Sequence, residues 1–553
     1  MQNIRNIKWQ FAFALVAGIA ILSGCEKEEQ IYEKTRLFRP VLNEDLTAEG
    51  NVIIVNLANI REAESYTIEV SQDEFATVEY SVTVDTNYVL LNSAVLGDDL
   101  LYNTLYQVRA MANASNAEFD SKLADLGSVR TQRFPSIQLL PRAYDVTDTK
   151  ARVRWVPSGA AISGVKIFTK EDVKLKSPLA SYPVNSEENE AGEVIIDGLT
   201  PSTSYQVAIY SGSTLRGWVD YTTLVAGIDP NGANVVNLSD SDDPDALKNV
   251  IDGAADGAVF LLKKGVRYNV PTSELSKSIT IVGAYGLIEE RASLFTTSDW
   301  KIAKGSQIDH VVFQDLIFIG EDPGGDYVFN PSHSGDKTVI KDLKFLNCEV
   351  TSLRGILRIR SDCFVNNFTI DNSIVHNLGN YGVFTTDTDG DGKASIDNVS
   401  FTNSTFYQMT IFVTSRQNIQ SFVIDACTFN DFTQAGQQTF RFRGGDGRNN
   451  VVNGLTISNS IFGHGWDVAM SGDKAVAFNR EGLKNTSLSI TNTWATADFA
   501  VVEGTGMAGF PPATYNKDAS SLWQLPADGI FNFKDAGFAG KFDSGDPRWR
   551  AKL

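Results

Sequence analysis

The sequence predicts an all-β protein: two small sandwiches followed by a right-handed parallel β-helix. Three observations predict it. Before residue 226, short runs alternate apolar and polar residues, the period of half-buried strands. From about residue 235, a unit of strand, polar corner and second strand recurs eight times. One such unit cannot bury its own apolar face, but stacked units share a continuous core. Finally, 553 residues are too many for one ordinary domain, and 42% hydrophobic with 10% aromatic residues is enough for sizeable cores.

The N-terminus reads as a targeting segment. Arg5 and Lys8 precede an apolar run, Phe11–Leu22, which is short for a bilayer span and fits a signal-peptide core. The run ends in Leu-Ser-Gly-Cys at 22–25. Small residues before a cysteine resemble a bacterial lipoprotein box, which implies cleavage before Cys25 and its acylation. A chance cysteine is the alternative. Residues 1–24 are then a signal peptide and 25–37 an acylated linker, anchored to outer-membrane lipid instead of spanning it. Lys27, Glu28 and Glu29 look like the short signal of surface-exposed lipoproteins. The remaining cysteines, Cys348, Cys363 and Cys427, are odd in number, so buried free thiols are expected rather than a disulfide framework.

Residues 38–133 show alternating strands at 51–60, 65–73 and 105–114. The pattern returns in 134–226, at 150–159, 164–170, 192–212 and 216–224. In this second segment Trp155 sits on an early strand, and Leu199, Pro201 and Tyr205 form a Leu-x-Pro…Tyr corner; the chain leaves through Thr222 and Thr223. The segment resembles a fibronectin type III domain. The first segment has the same exit without the proline, and is read as a second fibronectin III-like domain. The resemblance implies spacers or docking modules.

The β-helix is placed at 235–505. Its corner falls at Gly283, Asp315, Asn347, Asn372, Asn403, Ala426, Asn459 and Asn492, with spacings of 32, 32, 25, 31, 23, 33 and 33 residues. Stacked Asn amides can bond to neighbours above and below. Phe318, Val350, Val375, Phe406, Phe429 and Phe462 share one inward position. Both columns are structural, so a functional site is to be sought elsewhere.

A lipoprotein signal, fibronectin III-like domains and a coil stack together resemble Bacteroidota surface lipoproteins with a pectate-lyase-like β-helix. The ending, Leu522–Trp549, is similar to the tail of such proteins, where a Phe-containing strand precedes Gly-Asp-Pro-Arg-Trp; residues 506–553 are read as the closing segment. The resemblance implies a place in a glycan-utilisation system and contact with a polysaccharide. It does not imply catalysis.

A later strand of each coil aligns at 355–360, 382–387, 411–416, 439–444 and 475–480. Side chains alternate between faces. With Leu357, Ile359, Phe440 and Phe442 inward, Arg358, Arg360, Arg441 and Arg443 point outward. Thr385 and Asp387 match them on one neighbour, Thr414 and Arg416 on the next. One column reads Arg360, Asp387, Arg416, Arg443, with rungs roughly 4.8 Å apart. The planar guanidinium fork pairs bidentately with carboxylates. Arg358, Arg360, Arg416, Arg441 and Arg443 are therefore candidate contacts for an acidic polysaccharide such as alginate, pectin or a glycosaminoglycan. The alternative is pairing with nearby acids such as Asp362 and Asp446.

At the end of one such strand lies Asp387-Thr-Asp389-Gly-Asp391-Gly392. Its alternating carboxylates match the first half of an EF-hand loop, but position 12 is Asn398 instead of Glu, and a strand follows. It is not an EF-hand. Asp387, Asp389 and Asp391 remain candidate Ca2+ ligands, with a polar Gly/Asp turn as the alternative.

These features bound the chemistry. A lyase of the calcium-dependent type neutralises a uronate carboxylate with the metal and removes the C5 proton with Lys or Arg. Asp387, Arg360, Arg416 and Lys474 are pieces of that machinery, yet arginine is hard to deprotonate, and neither a Lys in the column nor a Glu cluster is present. A hydrolase needs grouped carboxylates, and the column has one. His310, His333, His376 and His464 lack metal or triad spacing. A net charge of −19 disfavours nucleic acid. No catalytic residue is assigned. The expectation is a cell-surface glycan-binding lipoprotein of a polysaccharide-utilisation system. The alternatives are a calcium-dependent polysaccharide lyase and a structural partner of outer-membrane glycan-transport proteins.

Overall fold

The computed structural model describes residues 35–552. Cys25 and residues 1–24, read from the sequence as a signal peptide, lie outside the described residues. Among the described residues, no helix is long and apolar enough to cross a membrane. The chain divides into two compact units. The first takes residues up to Gln138, with Val156–Glu190 and Tyr205–Asp220; the second takes Leu139–Trp155, Ala191–Ser204 and everything from Tyr221. Residues 134–226 thus contribute to both.

The first unit is built of antiparallel strands. One sheet orders Leu42–Glu49, Val52–Leu57 and Tyr88–Leu91; another orders Tyr80–Val84, Ser65–Ser71, Leu105–Asn113 and Ala124–Arg130. Burial alternates along Val52–Leu57 and Ser65–Ser71, and the inward residues Ile53, Val55, Ile68, Val70 and Val108 share one core. A further sheet contains Ala180–Pro183, Gly164–Thr169 and Ser204–Ser211. Two contacts tie it to the rest of the unit. Lys174 Nζ donates to Tyr80 Oη at 2.6 Å and to Asp98 Oδ2 at 2.8 Å. Phe134 packs between Tyr102 and Trp218, with ring centroids 5.1 and 4.9 Å away.

The second unit opens with the antiparallel pair Ala151–Arg154 and Glu193–Ile196 and continues into parallel strands. A ten-stranded sheet runs from Val235–Leu238 to Leu488–Thr491, and a thirteen-stranded sheet from Arg267–Asn269 to Ala513–Thr514. The parallel region therefore extends past residue 505. The helix Ala246–Val250 buries Leu247, and with Ile251 it joins the apolar core beside the first strands.

Corner chemistry sets the strand spacing. Asp315, Asn347, Asn372, Asn403, Ala426, Asn459 and Asn492 have φ between +42° and +56°, in the left-handed region that Asn and Asp tolerate best. Gly283 is not in that conformation. The amide ladder is partial: Asn372 Nδ2 donates to Asn347 Oδ1 at 3.2 Å and Asn492 Nδ2 to Asn459 Oδ1 at 2.9 Å. Asn403 and Asn459 turn instead to Asp371 and Asp425, at 2.9 and 2.8 Å. For Asn459 the reason is plain, since Ala426 below it has no amide to accept. Inside, Phe406, Phe429 and Phe462 are in register and stack at 5.2 and 4.4 Å.

The closing segment, read at 506–553, packs along the side of the parallel strands. Its final residues run back along the corner column as a strap. Ser544 Oγ donates to Asn492 Oδ1, Gly545 N to Asn459 O, Asp546 N to Thr428 Oγ1, Trp549 Nε1 to Thr405 Oγ1 and Arg548 Nη2 to Asn372 O. Gly545 has φ +76°, and a Cβ there would lie 2.8 Å from Thr428 Oγ1. Only glycine lets the strap pass this close. Trp523, Phe531 and Phe538 pack beside it against Tyr407 and Ile461.

Candidate functional site

The thirteen-stranded sheet contains two long strands, Glu349–Ile359 and Ile374–Thr386. Their second halves, with Val413–Ser415 and Phe440–Phe442, form a ladder of their own. Leu357, Phe384, Val413 and Phe440 are in register and fully buried. The next register position holds Arg358, Thr385, Thr414 and Arg441, on the outward face. Backbone bonds from Asp387, Arg416 and Arg443 to Ile359, Thr386 and Ser415 continue the ladder. Arg360, Asp387, Arg416 and Arg443 are therefore the next outward positions. The fifth aligned strand differs: Gln438 bridges Ala477, so 475–480 is displaced by three residues from the expected register.

Most of the guanidiniums are already engaged. Arg358 Nη2 and Nε meet Asp387 Oδ2 at 2.5 and 3.0 Å, and Arg358 lies 4.1 Å over the Tyr381 ring. Burial draws the Arg358 pKa down, but Asp387 outweighs it and the net shift is upward. Arg416 Nε lies 3.3 Å from Asp387 Oδ1, and its Nη1 pairs with Asp389. Arg448, which alternation along the strands does not reveal, pairs with Asp391 at 3.0 Å. A Cβ on Gly444 would lie 2.6 Å from Arg416 O, so a glycine is needed for this loop to fold back toward the column. Arg360 donates to Asn330 O at 3.0 Å. Asp362 accepts from Gly335 N, not from an arginine.

Two guanidiniums remain. Among the described residues, the side chains of Arg441 and Arg443 have no hydrogen bond and no ion pair. They line a cavity of about 350 Å³ with Asn380, Asp387, Thr414 and Gln437. Arg441 is half-buried; burial, then the like charges of Arg443 and Arg416, push its pKa down, against the pull of Glu481 and Asp387. Among the described residues, the hydroxyl of Thr414 and the amide of Gln437 also have no side-chain partner. The cavity offers two cations without an ion-pair partner, beside the arginine-paired Asp387 and among neutral hydrogen-bonding groups, which suits one anionic group on a hydroxyl-rich ligand.

The three aspartates read as candidate Ca2+ ligands, Asp387, Asp389 and Asp391, are paired with arginines in this structure. Among the described residues no three His, Cys, Asp or Glu groups gather as a metal site. Lys474 lies 3.8 Å from Asp498 and does not line the cavity. His376 bonds Glu349 at 3.0 Å and stacks on Tyr407 at 4.7 Å; His464 lies 3.1 Å from Asp431. Cys348, Cys363 and Cys427 are free and buried; burial pushes Cys348 up to about 12 and Cys363 to about 11.

Two family models match the parallel region. Residues 267–409 match a Domain of unknown function (DUF4957), and residues 422–549 match a Domain of unknown function (DUF5123). The cavity draws on both stretches: Asp387 lies in the first, Arg441 and Arg443 in the second, and Thr414 between them. No curated protein matches the chain. Among solved structures it is similar to the FN1–FN3 domains of chicken CNTN1, at 14% identity over 35% of this chain and 67% of that one, with a TM-score of 0.16. It is also similar to the central fibronectin-III array of RIM-binding protein (14% identity, 36% and 65% covered, TM-score 0.13). A two-domain fibronectin type III segment of chicken tenascin gives 13% identity, 34% and 99% covered, and a TM-score of 0.15. Overlaps this slight carry no argument about function.

Proposed function

We propose that the chain is a non-catalytic, cell-surface glycan-binding lipoprotein that holds an acidic, uronate-containing polysaccharide. In this reading Cys25 carries the lipid anchor in the outer membrane. The two segments at 38–133 and 134–226 act as fibronectin III-like spacers, and the parallel sheets wind as a right-handed β-helix that presents the cavity. The observation that carries the reading is the unpaired state of Arg441 and Arg443 on a chain of net charge −19. Half-buried cations without partners cost desolvation free energy, and a carboxylate ligand would offset it. Of the five arginines read from the sequence, ligand contact falls to Arg441 and Arg443; Arg358, Arg360 and Arg416 are held by the protein itself.

Affinity electrophoresis in gels containing pectate, alginate or a neutral glucan tests this. Retardation by an acidic glycan, weakened by salt and lost in Arg441→Ala and Arg443→Ala, is the expected outcome. Wild-type mobility in every gel would sink it. One observation favours the second reading, a polysaccharide lyase: Arg441 lines the cavity without an ion-pair partner, and burial with the like charges of Arg443 and Arg416 lowers its pKa. Unsaturated products absorbing in the ultraviolet after incubation with pectate would establish that reading over the first.

A further inference from the structure

We propose that the cavity accepts one acidic sugar flanked by neutral ones, so that the chain recognises glycans whose acidic residues are isolated, not contiguous. This rests on the acidic-glycan reading above and narrows it. Arg441 and Arg443 are two positions apart on one strand, about 7 Å along it, and point to the same face. They converge on one anionic group; the row of cations that a continuous polyanion would need is already neutralised by Asp387, Asp389 and Asp391. Asp387 also lines the cavity, and its charge is taken up by Arg358 and Arg416. A second carboxylate close to the first would meet no free guanidinium and would lose hydration without a partner, which is how a site rejects a wrong partner. The other polar lining groups, Asn380 and Gln437 among them, are uncharged amides and hydroxyls and suit sugar hydroxyls.

The anionic group can be a uronate carboxylate or a sulfate ester, and the test separates them. The full chain is titrated calorimetrically with three probes: fully de-esterified polygalacturonate, highly methyl-esterified pectin with isolated free acids, and a galactan with isolated sulfates. Per free acid, affinity for the methyl-esterified pectin is expected to exceed that for polygalacturonate by about tenfold. Tighter binding of the sulfated galactan would support isolated-anion recognition and assign a sulfate. Asp387→Asn releases Arg358 and Arg416 to stand in a row with Arg441 and Arg443, so it is expected to raise polygalacturonate affinity by about tenfold. Arg441→Gln and Arg443→Gln abolish binding to the sparse probes, while Arg360→Gln, outside the cavity lining, leaves it within about twofold. Equal or tighter wild-type binding to polygalacturonate, or no gain from Asp387→Asn, overturns the proposal and leaves the acidic-glycan reading standing. If no probe binds the wild type, both fall.

Discussion

Thr405 Oγ1 donates a 2.7 Å hydrogen bond to Asp546 Oδ2 across 141 residues of chain. Asp546 has no side-chain exposure, and it also accepts from Arg548 N at 2.9 Å and Arg548 Nη1 at 3.0 Å. Burial pushes Asp546 up and Arg548 down, each toward its neutral form. The pair is thus retained against its own desolvation, and removing one partner strands the other. Asp546→Ala is expected to cost about 3–5 kcal/mol. Replacing both, as Asp546→Leu with Arg548→Met, should cost less. Urea unfolding followed by tryptophan fluorescence checks this, since Trp549 belongs to the strap and Trp523 packs beside it. A double variant less stable than the single one would show that the strap does not work through a desolvated pair.

The inner aromatic column gives a second expectation. Phe429 stacks between Phe406 and Phe462 at interplanar angles of 11° and 12°, and is fully buried. Phe429→Ala opens a cavity that neighbouring rungs cannot close, because both sheets fix their backbone. A loss of about 3–5 kcal/mol is expected. Phe429→Leu keeps more volume and should lose less than half of that. Equal losses for the two variants would mean that the site collapses around either side chain.

The corner and the outward arginines were legible in the sequence because both follow from periodicity. Asn347, Asn372 and Asn403 mark a conformation that few side chains accept. Strand alternation alone places Arg358 and Arg441 on one face. What alternation cannot give is which partner a side chain meets. Asp387 was read as a neighbour in the column, but its loop turns back onto Arg358 and Arg416, and Arg448 arrives from a loop with no period. The register of 475–480 fails for a similar reason: the irregular stretch after Phe462 contributes residues that a repeat count cannot apportion. The strap was missed because residues 544–549 carry no strand pattern. Its cue is chemical, a Gly-Asp-Pro-Arg-Trp run whose glycine, carboxylate and indole each find a corner partner.

His464 sets a pH dependence. It faces Asp431 at 3.1 Å and Asp498 at 3.9 Å, with Lys474 nearby. Burial pulls its pKa down, but the hydrogen bond and charge of Asp431 outweigh that, and the net shift is upward. A raised imidazole stabilises the fold fully below its unfolded value of about 6.5, and this contribution is lost as pH rises through the folded value. His333, pulled down by burial, acts in the opposite sense. Comparing wild type with His464→Gln isolates the first effect. The difference in urea midpoint is expected to be largest in mild acid and to shrink as pH rises. A difference independent of pH would mean that His464 contributes through packing alone.

Calcium should be dispensable. Asp391 is 91% exposed yet pairs with Arg448, and Asp387 is shared by Arg358 and Arg416. For an ion to bind, three carboxylates would have to leave their guanidiniums and converge, and the released arginines would then stand beside the metal. Both steps oppose binding. Thermal unfolding is therefore expected to be unchanged by chelator or by calcium up to about 1 mM, the range of weak extracellular sites. Arg416→Gln and Arg448→Gln together remove the competing cations and leave Asp387, Asp389 and Asp391 in place. In that variant calcium should raise the melting temperature, because the carboxylates lose their partners and repel one another until a cation returns. A calcium-dependent rise in the wild type, abolished by Asp389→Asn, would show that the ion displaces the arginines. Glycan binding would then have to be remeasured with Arg358 and Arg416 as free contacts.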